Sequence, residues 1–197
     1  MVTSAAMKHP SADAGAGDLR RPAVASRRLL LKGALLAAGA CAAGARAQTP
    51  PASERDARPP PPVGSRLSLP DLTLLDASTV KPADLAGQVV VLYWWASWCP
   101  FCAVQSPLID QLQRTHRARG LRVLGLSIDK KPEDAAAHLA RKGYGFSSAW
   151  VSPDIARVLP KPKGLPVTVV LGRDGRVVMS EAGQLFAEDV EGIARFL

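Results

Sequence analysis

A chain of 197 residues with 47 % hydrophobic and 21 % charged residues has an ordinary globular balance and room for a single core plus a short extension. The formal net charge is +8, yet residues 1–47 hold seven of the 25 basic residues and only two of the 17 acidic ones, so the remainder carries just +3. Nothing basic is clustered as a nucleic-acid surface requires, which removes that class of partner.

The first 47 residues read as an export signal peptide. The stretch SRRLLLKGALLAAGACAAGARAQT places Arg27 and Arg28 ahead of a Gly/Ala-rich apolar run, and Ala45–Gln48 offers an A-x-A cleavage site after Ala47. The S-R-R-x-L-L-K pattern resembles a twin-arginine signal, with an ordinary Sec signal as the alternative. Residues 33–45 are uncharged but too short and weakly apolar to span a bilayer. The mature chain is therefore expected in the periplasm without stable membrane insertion, or membrane-anchored if the signal is retained. Cys41 falls inside the signal, so cleavage leaves two cysteines, Cys99 and Cys102. Residues 48–65, QTPPASERDARPPPPVGS, lack apolar periodicity and read as a Pro-rich disordered tether.

The folded domain is expected over residues 66–197. RLSLPDLTLLD alternates loosely and predicts a short hairpin at a sheet edge, and Pro82 opens a brief helical turn that Gly87 closes. QVVVLYWWA is a continuous β-branched and aromatic run, the pattern of a strand buried on both faces. After CPFC, the positions Val104, Leu108, Ile109 and Leu112 follow helical spacing, with Pro107 about one turn in and Gly120 as the stop. LRVLGLSID predicts the next buried strand and KPEDAAAHLARKG the next helix. A less regular stretch, YGFSSAWVSPDIARVLPKPKG, leads to the strand LPVTVVLG. GRDGRVVMS then reads as a hairpin turning at Asp174-Gly175, and the tail has helical spacing at Val190, Ile193, Ala194 and Leu197. The order gives an α/β fold: a mixed central sheet flanked by helices, with an N-terminal edge hairpin.

Cys99 and Cys102 stand where the buried strand passes into a helix. A bridge closing so short a loop removes little chain entropy, so the pair is a poor staple and a good candidate for chemistry. A thiol reacts as its thiolate, and unpaired N–H groups at a helix start favour the anion. With Cys99 at the cap, Cys102 lies one turn in, within bridging reach, and Pro100 suits the first helical position. The spacing supports a cycle in which Cys99 attacks a partner disulfide and Cys102 then releases the reduced partner.

WASWCPFC resembles the active site of the thioredoxin superfamily, and PDLTLLD…ADLAGQVVVLYWWASWCPFC resembles its exported TlpA/ResA-like branch. Pro107 matches that family's helix proline, KGLPVTVVLGRDGRVV its cis-proline strand and hairpin, and SIDKKPEDAAAHLARKG its second strand and helix. The resemblance implies a thioredoxin-like fold and a thiol-disulfide oxidoreductase without cofactor or metal. It implies catalytic Cys99 and Cys102, and a cis Pro166 that shapes the groove. The implied partners are protein thiols and disulfides of the cell envelope, and a membrane electron donor, with the reductase direction favoured. Two positions depart from the pattern: Tyr93 replaces a buried acid of thioredoxin, and Gln105 a Glu common in the ResA-like branch.

The rival class is a thioredoxin-fold module that holds a metal or a client without turnover. Tetrahedral zinc needs four ligands, whereas His116 and His138 sit on predicted helices at no ligand spacing from the cysteines. A peroxidase lacks its T-x-x-C arrangement here, and a copper chaperone its wider CxxxC. Trp94, Trp95 and Trp98 read as core and rim aromatics, and Phe101 as an exposed residue able to touch a partner.

Overall fold

The structure, a computed structural model, describes residues 57–197. The signal expected at 1–47 and the first part of the expected tether, 48–56, lie outside the described residues. In chain order the strands are β1 (Leu72–Thr73), β2 (Thr79–Val80), β3 (Val89–Trp95), β4 (Leu121–Ser127), β5 (Ser147–Trp150), β6 (Val167–Leu171) and β7 (Val177–Ala182). The helices are α1 (Pro100–His116), α2 (Pro132–Lys142), α3 (Pro153–Val158) and α4 (Ala187–Gly192), with 3-10 turns at Pro82–Leu85, Arg117–Arg119 and Ile193–Phe196.

Five strands form one sheet in the order β5-β4-β3-β6-β7. β3 pairs in parallel with β4, as does β4 with β5, while β6 runs antiparallel to both β3 and β7. The central strand is buried at every position because both faces are covered. Tyr93 and Trp95 point into one core with Cys102, Ile109, Leu112 and Phe146, whereas Leu92 and Trp94 point into the other with Leu74, Leu124 and Leu159. Period-2 alternation thus separates two cores in a strand whose sequence shows no alternation.

Two expectations are corrected. The segment 66–76 does not fold back on itself as a unit. Arg66 bridges Arg176 beside β7, Leu67 and Leu69 pack on the core beneath the sheet, and Leu74 bridges Ala149 of β5. This stretch therefore crosses one face from edge to edge, and the hairpin, β1 with β2, comes later and is only two residues long per strand. The stretch 147–150, left irregular by its sequence, is the edge strand β5.

Residues 58–65, read as the end of a tether, are held against the domain. The Gly64 N–H donates to Val177 O at 2.7 Å, Val177 N–H to Ser65 O at 2.9 Å, and Lys163 N–H to Arg58 O at 2.8 Å. The boundary drawn from composition is therefore later than the start of hydrogen-bonded chain. Proline-rich segments lack donors but keep their carbonyls, and Arg58 is docked through one. No helix among the described residues is long and apolar enough to cross a membrane.

Candidate active site

The CPFC segment sits where β3 ends and α1 begins. Cys99 is the N-cap residue, with extended backbone (φ −81°, ψ 116°), and its Sγ accepts the Cys102 N–H at 3.2 Å. Pro100 occupies the first turn, where an N–H would lack an intrahelical partner. Both cysteines are free thiols, Cys99 being 4 % and Cys102 1 % exposed. Around them stand Trp98, Phe101 and Val104, each more than half exposed. The sulfurs thus lie just beneath an apolar rim that protrudes from the surface.

A buried carboxylate fixes the loop ahead of Cys99. Asp129, two residues past β4, accepts the Ser97 N–H at 3.1 Å, the Ser97 hydroxyl at 2.6 Å and the Ser127 hydroxyl at 2.8 Å. Its own carbonyl accepts the Trp150 indole at 2.7 Å. The Cys99 N–H closes a turn onto Ala96 O at 3.2 Å. Asp129 was not singled out from the sequence. The available signal was an acid immediately beyond a buried strand of an α/β sheet, beside the strand that carries the cysteines.

The two departures from the family pattern are both buried and both engaged. Gln105 donates to Thr168 Oγ1 at 2.9 Å and accepts the Leu185 N–H at 2.7 Å, tying α1 to β6 and to the loop before α4. Tyr93, on β3, meets Ser106 Oγ at 3.0 Å and donates to Cys102 O at 3.4 Å. Burial raises the Cys102 thiol above its ordinary range, reinforced by Cys99, while the Ala96 backbone and the Tyr93 hydroxyl act in the opposite sense. Burial likewise raises Tyr93, with Cys102 adding to it, so its hydroxyl keeps its proton.

Pro166 is buried and its bond to Leu165 is cis. β3 and β6 pair Trp94 with Val167, so continuation of that register sets Pro166 across from Trp95, four residues ahead of Cys99. The Pro166 carbonyl accepts the Gly183 N–H at 2.8 Å. The Lys161 ammonium ties the loop before the proline, donating to Pro162 O at 2.8 Å and Gly164 O at 3.0 Å. His138 packs against Trp95 on the core side of α2.

The sequence model of the AhpC/TSA family matches residues 66–180. A thiol:disulfide interchange protein DsbE from Allochromatium vinosum is 32 % identical over 132 residues, covering 64 % of this chain and 70 % of that one. The thiol-disulfide oxidoreductase ResA of Bacillus thuringiensis is 27 % identical over 124 residues, covering 61 % and 70 %. Among solved structures, a Chlorobium tepidum chain assigned as a thiol:disulfide interchange protein DsbE aligns with TM-score 0.59 and 29 % identity, over 68 % of this chain and 94 % of that one. A secreted Mycobacterium tuberculosis disulfide oxidoreductase shares the fold at 20 % identity, with TM-score 0.55 over 64 % and 95 %. The chain therefore belongs to the AhpC/TSA family, has the thioredoxin-like fold, and is a thiol-disulfide oxidoreductase of the TlpA/ResA-like kind.

Proposed function

We propose that this protein is an exported thiol-disulfide oxidoreductase that exchanges disulfides with envelope proteins through Cys99 and Cys102, in the reducing direction. The observation that carries the reading is the asymmetry of the pair. Cys99 caps α1, accepts a backbone N–H on its sulfur and is the less buried of the two, whereas Cys102 is enclosed and its thiol resists ionisation. A donated N–H suits a sulfur that carries negative charge as it attacks.

Cys99 sulfur attacks a partner disulfide, forming one S–S bond and releasing one partner thiolate. Cys102 then attacks Cys99 sulfur, closes the Cys99–Cys102 bridge and expels the second partner thiolate. The partner gains two electrons and the protein loses two. Pro166 closes one side of the approach, and the exposed Trp98 and Phe101 meet the partner's surface. The signal-like segment at 1–47 supports a periplasmic location, where clients are proteins with exchangeable thiols and a membrane donor returns the electrons.

Cys102→Ala tests the assignment. The variant is expected to accumulate mixed disulfides with envelope proteins through Cys99, seen as adducts on non-reducing gels that vanish when Cys99 is also changed to Ala. Adducts joined through another residue, or none at all, contradict the roles given to the pair.

A further inference from the structure

One end of the sheet carries the net charge of the described residues. Residues 57–197 hold 17 Lys or Arg against 13 Asp or Glu. Arg66, Arg117, Arg119, Arg173 and Arg176, all exposed, lie with Asp174 at the end opposite the cysteines. Without these six residues the count is balanced at 12 of each sign. The sequence scatters the five arginines from residue 66 to residue 176, and the fold gathers them. Arg117 and Arg119 stand in the 3-10 turn before β4, Arg173 follows β6 and Arg176 precedes β7. Arg66 pairs with Arg176 through a β-bridge. Cys99, by contrast, follows the far end of β3.

Contacts hold the group in place. The Arg173 guanidinium donates to Gly87 O at 2.8 Å and to Arg119 O at 3.1 Å, and that of Arg66 to Asp174 O at 3.2 Å. Arg176 donates to Gly64 O at 2.9 Å and stands 3.7 Å from the Asp174 carboxylate. Bonds to neutral carbonyls leave a guanidinium its charge and further N–H groups for an anion. All five cations are arginines, whose planar fork matches pairs of phosphate oxygens. Beside them opens a cleft of about 500 Å³, bordered by Arg66 and Arg173 and lined by Leu67, Leu69, Leu85 and Leu171. Asp84 and Lys81, on the adjoining turn, offset each other.

We propose that this end docks on an anionic phospholipid surface, with the arginines on headgroup phosphates and the leucine-lined cleft against the apolar zone beneath them. A soluble polyanion would match the charge and leave the cleft without a partner, whereas a lipid supplies both. The strand β3 spans about 20 Å, so docking this way keeps Cys99 clear of the bilayer. The docking does not depend on the roles given to the two cysteines.

The test sediments the full chain with vesicles of phosphatidylglycerol and phosphatidylcholine in equal parts, or of phosphatidylcholine alone. Residues 1–47 are the same in every variant, so their own affinity cancels in the comparison. Arg117→Gln with Arg119→Gln removes two charges from the docking end. Lys130→Gln with Lys131→Gln removes two beside Asp129, at the cysteine end. The arginine pair variant is expected to bind mixed vesicles about thirtyfold more weakly, and Arg176→Gln alone about fivefold. The lysine variant should bind as the unmodified protein does, and added salt should release both. Alkylation of Cys99 by a water-soluble reagent should run equally fast on vesicles and in solution. Absence of vesicle binding, indifference to lipid charge, equal binding by all variants, or shielding of Cys99 on vesicles overturns the proposal. So does capture of soluble polyglutamate through the same arginines in preference to vesicles, which marks a protein-docking surface.

Discussion

At the scale of single residues, the chemistry of this site is set by what burial does to two acidic protons. Cys102 and Tyr93 sit in the same core, and both hold their protons beyond their ordinary ranges near 9.0 and 10.0. In the unfolded chain these groups ionise at ordinary values, so raising the pH past 9 favours unfolding, and raising it past 10 does so more strongly. The stabilisation is fully present below pH 9. Urea unfolding of the reduced protein is therefore expected to show a loss of about 1 kcal/mol per pH unit between pH 9 and 10 from Cys102, with a steeper fall above. Cys102→Ala should remove the first part of that loss and leave the part due to Tyr93. A reduced protein whose stability is flat from pH 7 to 10.5 would contradict the burial assigned to both groups.

Elements position these residues through contacts that sequence pattern conveys unevenly. β3 and β4 were legible because buried parallel strands write themselves as continuous apolar runs, and α1 because its N-cap cysteine, Pro100 and apolar spacing agree. β5 was not legible. Its residues are Ser-Ser-Ala-Trp, and the first three side chains are small, with the bulk of neighbouring residues beside them. Ser148 accepts the Trp95 indole at 3.1 Å, and Ala149 bridges Leu74. Local propensity carries no trace of such a strand, since pairing with β4 and the neighbouring bulk define it.

Gly125 on β4 marks the same crowding. A Cβ there would stand 2.7 Å from Ser148 Oγ, 2.8 Å from Phe146 Cε2 and 2.9 Å from Trp95 Nε1. Gly125→Ala must therefore move the side chains that make the Trp95–Ser148 bond. We expect a loss of about 2 kcal/mol in urea unfolding, the usual scale of overpacking. A loss below about 0.5 kcal/mol would mean that the packing between β4 and β5 is looser than described.

For the whole molecule, the sheet carries two cores, and the working parts gather at one end of it. Cys99 leaves β3, Asp129 follows β4, and Pro166 precedes β6, so three neighbouring strands meet the cysteine pair at one edge. The cysteines and the fold class could be read from the sequence, because motif and buried strand are local signals. Asp129, the Tyr93–Ser106 contact and the course of residues 58–76 could not, because each depends on which strands become neighbours. Tyr93 and Gln105 appeared as losses from a family pattern, and in three dimensions they form bonds of their own: Gln105 ties α1 to β6, and Tyr93 ties β3 to Ser106 and the Cys102 carbonyl of α1.

The proposed function requires that Cys99 and Cys102 interconvert as one dithiol–disulfide couple. Equilibrating the protein in graded glutathione redox buffers and counting free thiols by mass after alkylation tests it directly. A single transition between two free thiols and one intramolecular bridge is expected, with the two-electron slope of about 30 mV per tenfold change in the ratio of forms. Thiols that remain free across the whole series, or glutathione adducts that never yield the bridge, would contradict it.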